Sequence, residues 1–307
     1  STEDIQNILY FFDEPFADSS AIPTYYVSKY ARQNATVALS GDGGDEVFGG
    51  YGNYKADKIG LLYRKIPSLI RNGLIPSILR AMPGAPDNLS KKAQFKKFLS
   101  IGHMKPNEGH VYWLSCFSED AKRELYVANN LKEFLGNNSI NRYSSFFDEC
   151  DMTDFINRCI CVDIKTVLPN DYLTKVDRMS MANSLEVRVP LLDHKLLEFA
   201  VSIDSKYKLR GLLAKYLLKK IMKNKLPDKI IKGRKKGFSL PLARWFRENF
   251  SVLLNEFLSE DIIKKNGYFD YKFINRLSDE HLSGIKDNSK QLWTLICFEI
   301  WHRRFVR

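Results

Sequence analysis

At 307 residues and 44% hydrophobic, the chain can bury a large core as one big domain or two smaller ones. It lacks any run of about 18 apolar residues, and its opening, Ser1-Thr2-Glu3-Asp4, reads as neither a signal peptide nor a transit sequence, so a cytoplasmic protein that does not span a membrane is expected. The net charge of +11 is concentrated: of the 47 Lys and Arg and 36 Asp and Glu, fifteen basic residues and only two acids lie between Asp204 and Arg247. Such a segment suits nucleic acid, a membrane surface or polyphosphate, and a solvated helix face would produce it as well.

In chain order, Ser1 or Thr2 can cap a helix running to Phe12, stopped before Pro15. A polar loop from Asp13 to Ile22 leads to Pro23, well suited as the first residue of a helix reaching Gln33. Thr36-Val37-Ala38-Leu39 then reads as a buried strand. It opens onto Ser40-Gly41-Asp42-Gly43-Gly44-Asp45-Glu46-Val47-Phe48-Gly49-Gly50-Tyr51, with a helix beginning near Gly44. Gly41, Gly43 and Gly44 can take positive φ and let backbone N–H groups approach an anion. Asp42, Asp45 and Glu46 would repel a phosphate unless a hard cation stood between, so the pattern suggests a magnesium-bridged polyphosphate. A strand-to-helix turn whose acids cap the next helix explains the same letters.

Helix, strand, loop and helix in that order belong to a parallel α/β sheet, which binds ligands at the carboxyl ends of its strands. Only one strand is evident, so its partners lie outside the chain or are hidden from pattern reading. Apolar stretches from Ile59 to Met82 are broken by Pro67 and Pro76, and Pro83 to Asn88 reads as a loop. Helices are expected over Ser90 to Ser100, Glu108 to Phe117 and Glu119 to Val127, with Ser139 to Glu149 as a connection. No internal repeat or low-complexity tract occurs.

The block from Asp163 to Val201 scatters charged residues among apolar ones, so several need buried partners. Asp177, Arg178, Glu186 and Arg188 can pair among themselves, or some can serve chemistry. Gly211 to Asn224 has helical spacing, with Leu212, Leu213, Tyr216, Leu217 and Ile221 on one side and lysines largely on the other. Gly233-Arg234-Lys235-Lys236-Gly237 is a glycine-flanked basic turn suited to a phosphate, or to DNA, ahead of a helix from Pro241 to about Leu258. A last helix near Ser289 to Phe305 is rich in core residues. Cys116, Cys150, Cys159, Cys161 and Cys297 show no metal-ligand spacing and are expected as reduced, mostly buried thiols, and the five histidines form no ligand motif.

Together these blocks resemble the synthetase domain of glutamine-dependent asparagine synthetases, in the PP-loop ATP pyrophosphatase group. Ser40 to Tyr51 is similar to that family's second nucleotide-site motif and Leu185-Glu186-Val187-Arg188-Val189-Pro190-Leu191-Leu192-Asp193 to its third. Asp13-Glu14-Pro15-Phe16, Ser20 to Tyr25 and Lys235-Lys236-Gly237-Phe238-Ser239 fit too, so the likeness spans about Ile5 to Phe250. It implies ATP and Mg2+ as cofactors and adenylation of aspartate, followed by displacement of AMP by ammonia to give asparagine.

By the same resemblance Asp45 is a magnesium ligand, and Ser40, Gly41, Gly43, Gly44 and Glu46 bind the nucleotide. Asp42 orients or deprotonates the amine, Lys235 neutralises the leaving pyrophosphate, and Glu186 is a second site carboxylate, with Arg178 and Arg188 weaker candidates. The implied partners are small molecules (aspartate, ATP, and ammonia from glutamine) and a glutaminase domain, with neither nucleic acid nor membrane. A related enzyme acting on another carboxylate would carry similar motifs.

Two features of the family are missing: the glycine-rich Ser-Gly-Gly-x-Asp-Ser phosphate loop and the amino-terminal glutaminase with its cysteine nucleophile. The chain is therefore expected to be a carboxyl-terminal fragment, nearly inactive alone and mainly α. Most of the parallel sheet of the α/β PP-loop fold would be gone, residues 1–58 being a remnant of the nucleotide-binding core and 59–307 its helical part. A strand without neighbours would be free to pair across a homodimer.

Overall fold

The computed structural model of the chain describes residues 2–67, 70–71, 98–99, 101, 104–128, 132, 139–233, 237–238, 240–248 and 250–306. The expected helix from Ser90 to Ser100, the loop before it and the basic residues Arg234, Lys235 and Lys236 fall largely or wholly outside them.

The described chain is mainly helical, with one two-stranded sheet. Strand β1, Val37–Leu39, pairs in parallel with β2, Glu186–Arg188, in the register Val37 to Glu186, Ala38 to Val187 and Leu39 to Arg188. Its partner thus lies within the chain, hidden because a Glu-Val-Arg triplet carries almost no strand signal. The strand is not buried either: Val37 is 41% and Leu39 74% exposed. An apolar run records affinity for a core, not whether anything covers it.

The first helix, Thr2–Leu9, and the second, Ala21–Arg32, precede β1. Pro23 sits third in the second helix rather than first, a position whose N–H has no intrahelical partner in any case. Ile5, Ile8, Leu9 and Phe12 join Leu253, Phe257, Leu292, Trp293 and Ile296 in the largest core, so the start of the chain packs on its end. The carboxyl-terminal helix has its expected bounds, Ser289–Phe305.

A second core joins Tyr54 of helix Gly52–Arg64, Val111 of Pro106–Leu114, Phe147 of Ser139–Glu149 and Ile156, Ile160 and Val162 of Phe155–Lys165. Ser139–Glu149, expected as a connection, is a helix, because Ile140, Tyr143, Phe146 and Phe147 share a face that packs into this core. Helix Phe155–Lys165 starts where Asp154 Oδ1 accepts the Asn157 N–H at 2.8 Å. The return past Asp151 brings Cys150 to Cys161, and the two form a disulfide, whereas Cys116, Cys159 and Cys297 form none. The expectation of five reduced thiols fails for this pair, which spatial proximity and not spacing brings together.

Two helices differ from their sequence pattern. Gly211 to Asn224 is helical only over Tyr216–Met222, since Gly211 and Lys215 both have positive φ, and Leu212, Leu213 and Ile221 stay exposed. The helix expected from Pro241 to Leu258 is two, Leu242–Arg247 and Ser251–Leu258. No helix among the described residues is long and apolar enough to cross a membrane.

Candidate active site

The acid turn leaves the carboxyl end of β1, where the Ser40 N–H donates to the Arg188 carbonyl across the sheet at 2.9 Å. Ser40 Oγ donates to Asp42 Oδ2, and the Asp42 N–H returns to Ser40 Oγ at 3.3 Å. Gly43 has φ +80°, and a Cβ there would lie 2.1 Å from Leu192 Cδ2. Only glycine permits both that backbone and that approach. Helix Gly44–Phe48 follows, with Val47 and Phe48 packed on Leu191, Leu192, Leu196 and Leu197. The segment after β2 therefore props the turn from beneath.

At Gly50 the chain folds back so closely that a Cβ would sit 1.8 Å from Asp45 Oδ1. The Gly50 N–H donates to the Asp45 carbonyl at 2.7 Å. Asp45 Oδ1 faces the Lys215 ammonium at 3.1 Å, both side chains being about three-quarters buried. Gly41, in contrast, faces open space.

Glu46 points inward and is 1% exposed. Its Oε1 accepts the Tyr51 hydroxyl at 2.7 Å, while Oε2 is buried with no hydrogen-bond partner among the described residues. Burial holds its carboxyl above the usual range, against the lowering effect of Tyr51. Tyr51 stacks on Tyr172, 5.6 Å between ring centroids. Tyr172 belongs to a single π-helical turn, Leu168–Leu173, which also presents Asp171.

Beyond this stack lies a second charged cluster. Lys175 Nζ, over the Tyr172 ring at 4.9 Å, reaches Asp18 Oδ2 at 2.6 Å. Ser20 donates to Asp18 through its N–H at 2.9 Å and its hydroxyl at 2.7 Å. Burial, with the Asp18 carboxylate adding to it and Lys175 opposing it, pushes the Asp171 carboxyl up to about 7.

The structure thus gathers Ser40, Asp42, Gly43, Gly44 and Asp45 at one strand end, with Gly41 open beside them, and turns Glu46 into the interior. Glu186 sits on the sheet, 53% exposed, its Oε1 accepting from Arg188 Nε at 2.6 Å. It stands level with Val37, upstream of the turn. Arg178 pairs with Asp13 at 2.6 Å rather than with Glu186, so the four-residue network expected from sequence forms only in part. Lys235 lies outside the described residues. Nothing in the sequence marks Lys215, Tyr172, Asp171, Lys175 or Asp18 as site residues: Lys215 falls among the lysines of a helical pattern's polar side, and the others carry no motif of their own.

Asp42 and Asp45 supply the hard carboxylate oxygens that a divalent cation such as magnesium takes, so the donor chemistry of the turn fits that group. The family model for asparagine synthase matches residues 1–303. The chain is 32% identical over 300 residues to asparagine synthetase [glutamine-hydrolyzing] 1 of Bacillus subtilis, covering 97% of this chain and 45% of the relative. It is 29% identical over 303 residues to a putative asparagine synthetase [glutamine-hydrolyzing] of Mycobacterium bovis, covering 98% of this chain and 44% of the relative. A putative asparagine synthetase [glutamine-hydrolyzing] 2 of Methanocaldococcus jannaschii is 32% identical over 195 residues, 60% of this chain and 33% of that protein. The chain thus spans less than half the length of these relatives. With the acid turn at the carboxyl end of β1 and the match running almost from end to end, the chain belongs to the asparagine synthase family.

Proposed function

We propose that this chain supplies the synthetase centre of an ATP-dependent asparagine synthetase. The aspartate side-chain carboxylate bonds through oxygen to the α-phosphorus of ATP as the bond to pyrophosphate breaks. Ammonia then attacks the acyl carbon and expels AMP, leaving asparagine. In the longer protein a glutaminase domain would release that ammonia from glutamine.

The observation that carries this reading is the turn itself: two carboxylates, Asp42 and Asp45, on a glycine-built bend at a strand end, with Lys215 against Asp45. Asp45 would hold magnesium, which would supply positive charge to a bound polyphosphate. Asp42, tied down by Ser40, would take the proton that the amine must lose when the amide forms. Lys215 and the basic residues around Lys235 would offset charge on the departing pyrophosphate. Glu46, buried and bonded to Tyr51, would brace the turn from within.

AMP release by the full-length parent protein, measured with ATP and an ammonium salt, tests the reading. It should require aspartate, and Asp45→Asn should lower it about a hundredfold. Aspartate-independent release that responds to another carboxylate would replace aspartate as the acceptor, and no release with any carboxylate would overturn the proposal.

A further inference from the structure

Away from the acid turn, three helices converge on a buried set of metal-ligating side chains that the amide-forming reading does not use. Asp57 comes from helix Gly52–Arg64, His110 from Pro106–Leu114 and Cys159 from Phe155–Lys165. They are 5%, 0% and 0% exposed, and one potential ligand atom from each lies within 4.8 Å of the other two.

Carboxylates face both nitrogens of the imidazole. His110 Nδ1 faces Asp57 Oδ2 at 2.7 Å, while Nε2 faces Asp163 Oδ1 at 3.1 Å. The other Asp163 oxygen accepts the Tyr54 hydroxyl at 2.7 Å. Tyr54 also stacks parallel to the imidazole, and Phe147 meets it edge-on. A ligating histidine commonly donates its second N–H to a carboxylate, which fixes its tautomer and raises its basicity, and Asp163 held by Tyr54 is built for that task.

We infer that Asp57, His110 and Cys159 form a structural site for a thiophilic divalent cation, zinc, with Asp163 and Tyr54 orienting the histidine. A thiolate, an imidazole and a carboxylate favour zinc over magnesium or calcium, which take oxygen alone. Tetrahedral zinc holds its ligand atoms roughly 3.2–3.8 Å apart. The Asp57 to His110 contact would open by about half an ångström, and Cys159 would close in. The second Asp57 oxygen or a water completes the four positions. Bound there, the ion would pin three helices on one core.

The competing state is metal-free, with His110 an imidazolium held between two carboxylates. Zinc content of the purified protein, with cobalt(II) as an optical probe, separates the two. About one zinc per chain should survive dialysis, and cobalt should give a thiolate charge-transfer band and intense visible absorption. Cys159→Ser should abolish the charge-transfer band and weaken zinc binding at least tenfold, whereas Cys116→Ser, at a cysteine outside the cluster, should change neither. Circular dichroism shows whether each variant folds. If Cys159→Ser does not, His110→Gln, with its matching loss of zinc, takes its place. Folded wild-type protein that binds neither zinc nor cobalt, or a folded Cys159→Ser that keeps zinc undiminished, overturns the site. Neither outcome bears on the amide-forming reading, which rests on other residues.

Discussion

The Lys215 ammonium lies 3.1 Å from Asp45 Oδ1, joining a residue of the acid turn to one 170 positions later in sequence number that heads a short helix. Lys215 adopts φ +53°, an uncommon conformation for a non-glycine residue, and this contact is what it gains there. At roughly three-quarters burial the pair contributes more than a surface bridge, about 1–2 kcal/mol. Lys215→Met should cost about that much stability in a denaturant melt. If the proposed chemistry holds, it should also lower ATP–pyrophosphate exchange by the full-length protein about a hundredfold, with Lys215→Arg intermediate.

Glycine substitutions separate close approach from conformational freedom. Gly50→Ala would drive a methyl into the Asp45 carboxylate and the Lys215 stem, so exchange should fall at least tenfold even in protein whose circular dichroism is unchanged. Gly43→Ala meets Leu192 and a positive φ together and should destabilise by about 2 kcal/mol or more. Gly41→Ala, with nothing near it, should stay within about 0.5 kcal/mol of wild type.

Stability should depend on pH through Asp171. Its folded carboxyl is pushed up to about 7 by burial, while an unfolded aspartate titrates near 3.9. Between those values the folded state keeps a proton that the unfolded state has released, so this group's contribution falls as pH rises from about 4 to 7. Asp171→Asn should remove that fall, gaining on wild type by roughly 2 kcal/mol between pH 5 and 8 in parallel urea melts. Equal pH profiles would assign the proton elsewhere.

Reduction should act through Cys150 and Cys161. The bridge closes a loop across a sequence separation of 11, which in the chain-entropy account contributes roughly 2–3 kcal/mol. Dithiothreitol should lower the thermal midpoint by several degrees, and a Cys150→Ser, Cys161→Ser double variant should no longer respond. Peptide mapping without reductant should recover Cys150 joined to Cys161.

Legibility in the sequence followed locality. The acid turn, the family and the last helix were all readable because each is written in consecutive residues. Strand β2 was not, since Glu186-Val187-Arg188 becomes a strand only by pairing with β1. The Ser139–Glu149 helix was missed because its apolar residues needed a core assembled from three other segments. Histidine spacing along the chain gave no hint of His110, whose partners Asp57, Cys159 and Asp163 lie about 50 residues to either side. Lys215 escaped for a similar reason: its charge was visible, but the bend that aims it at Asp45 was not.

The parallel pairing of β1 with β2 also bears on the order of assembly. Bringing Val37 to Glu186 closes a stretch of about 150 residues, and that entropic cost comes before any ladder hydrogen bond can offset it. Helices such as Phe155–Lys165, built from near neighbours, can form within microseconds, whereas the strand end that carries Asp42 and Asp45 waits for a long-range pairing. Refolding should therefore restore ellipticity well before the proposed nucleotide chemistry, and the interval between them would time the docking of one strand.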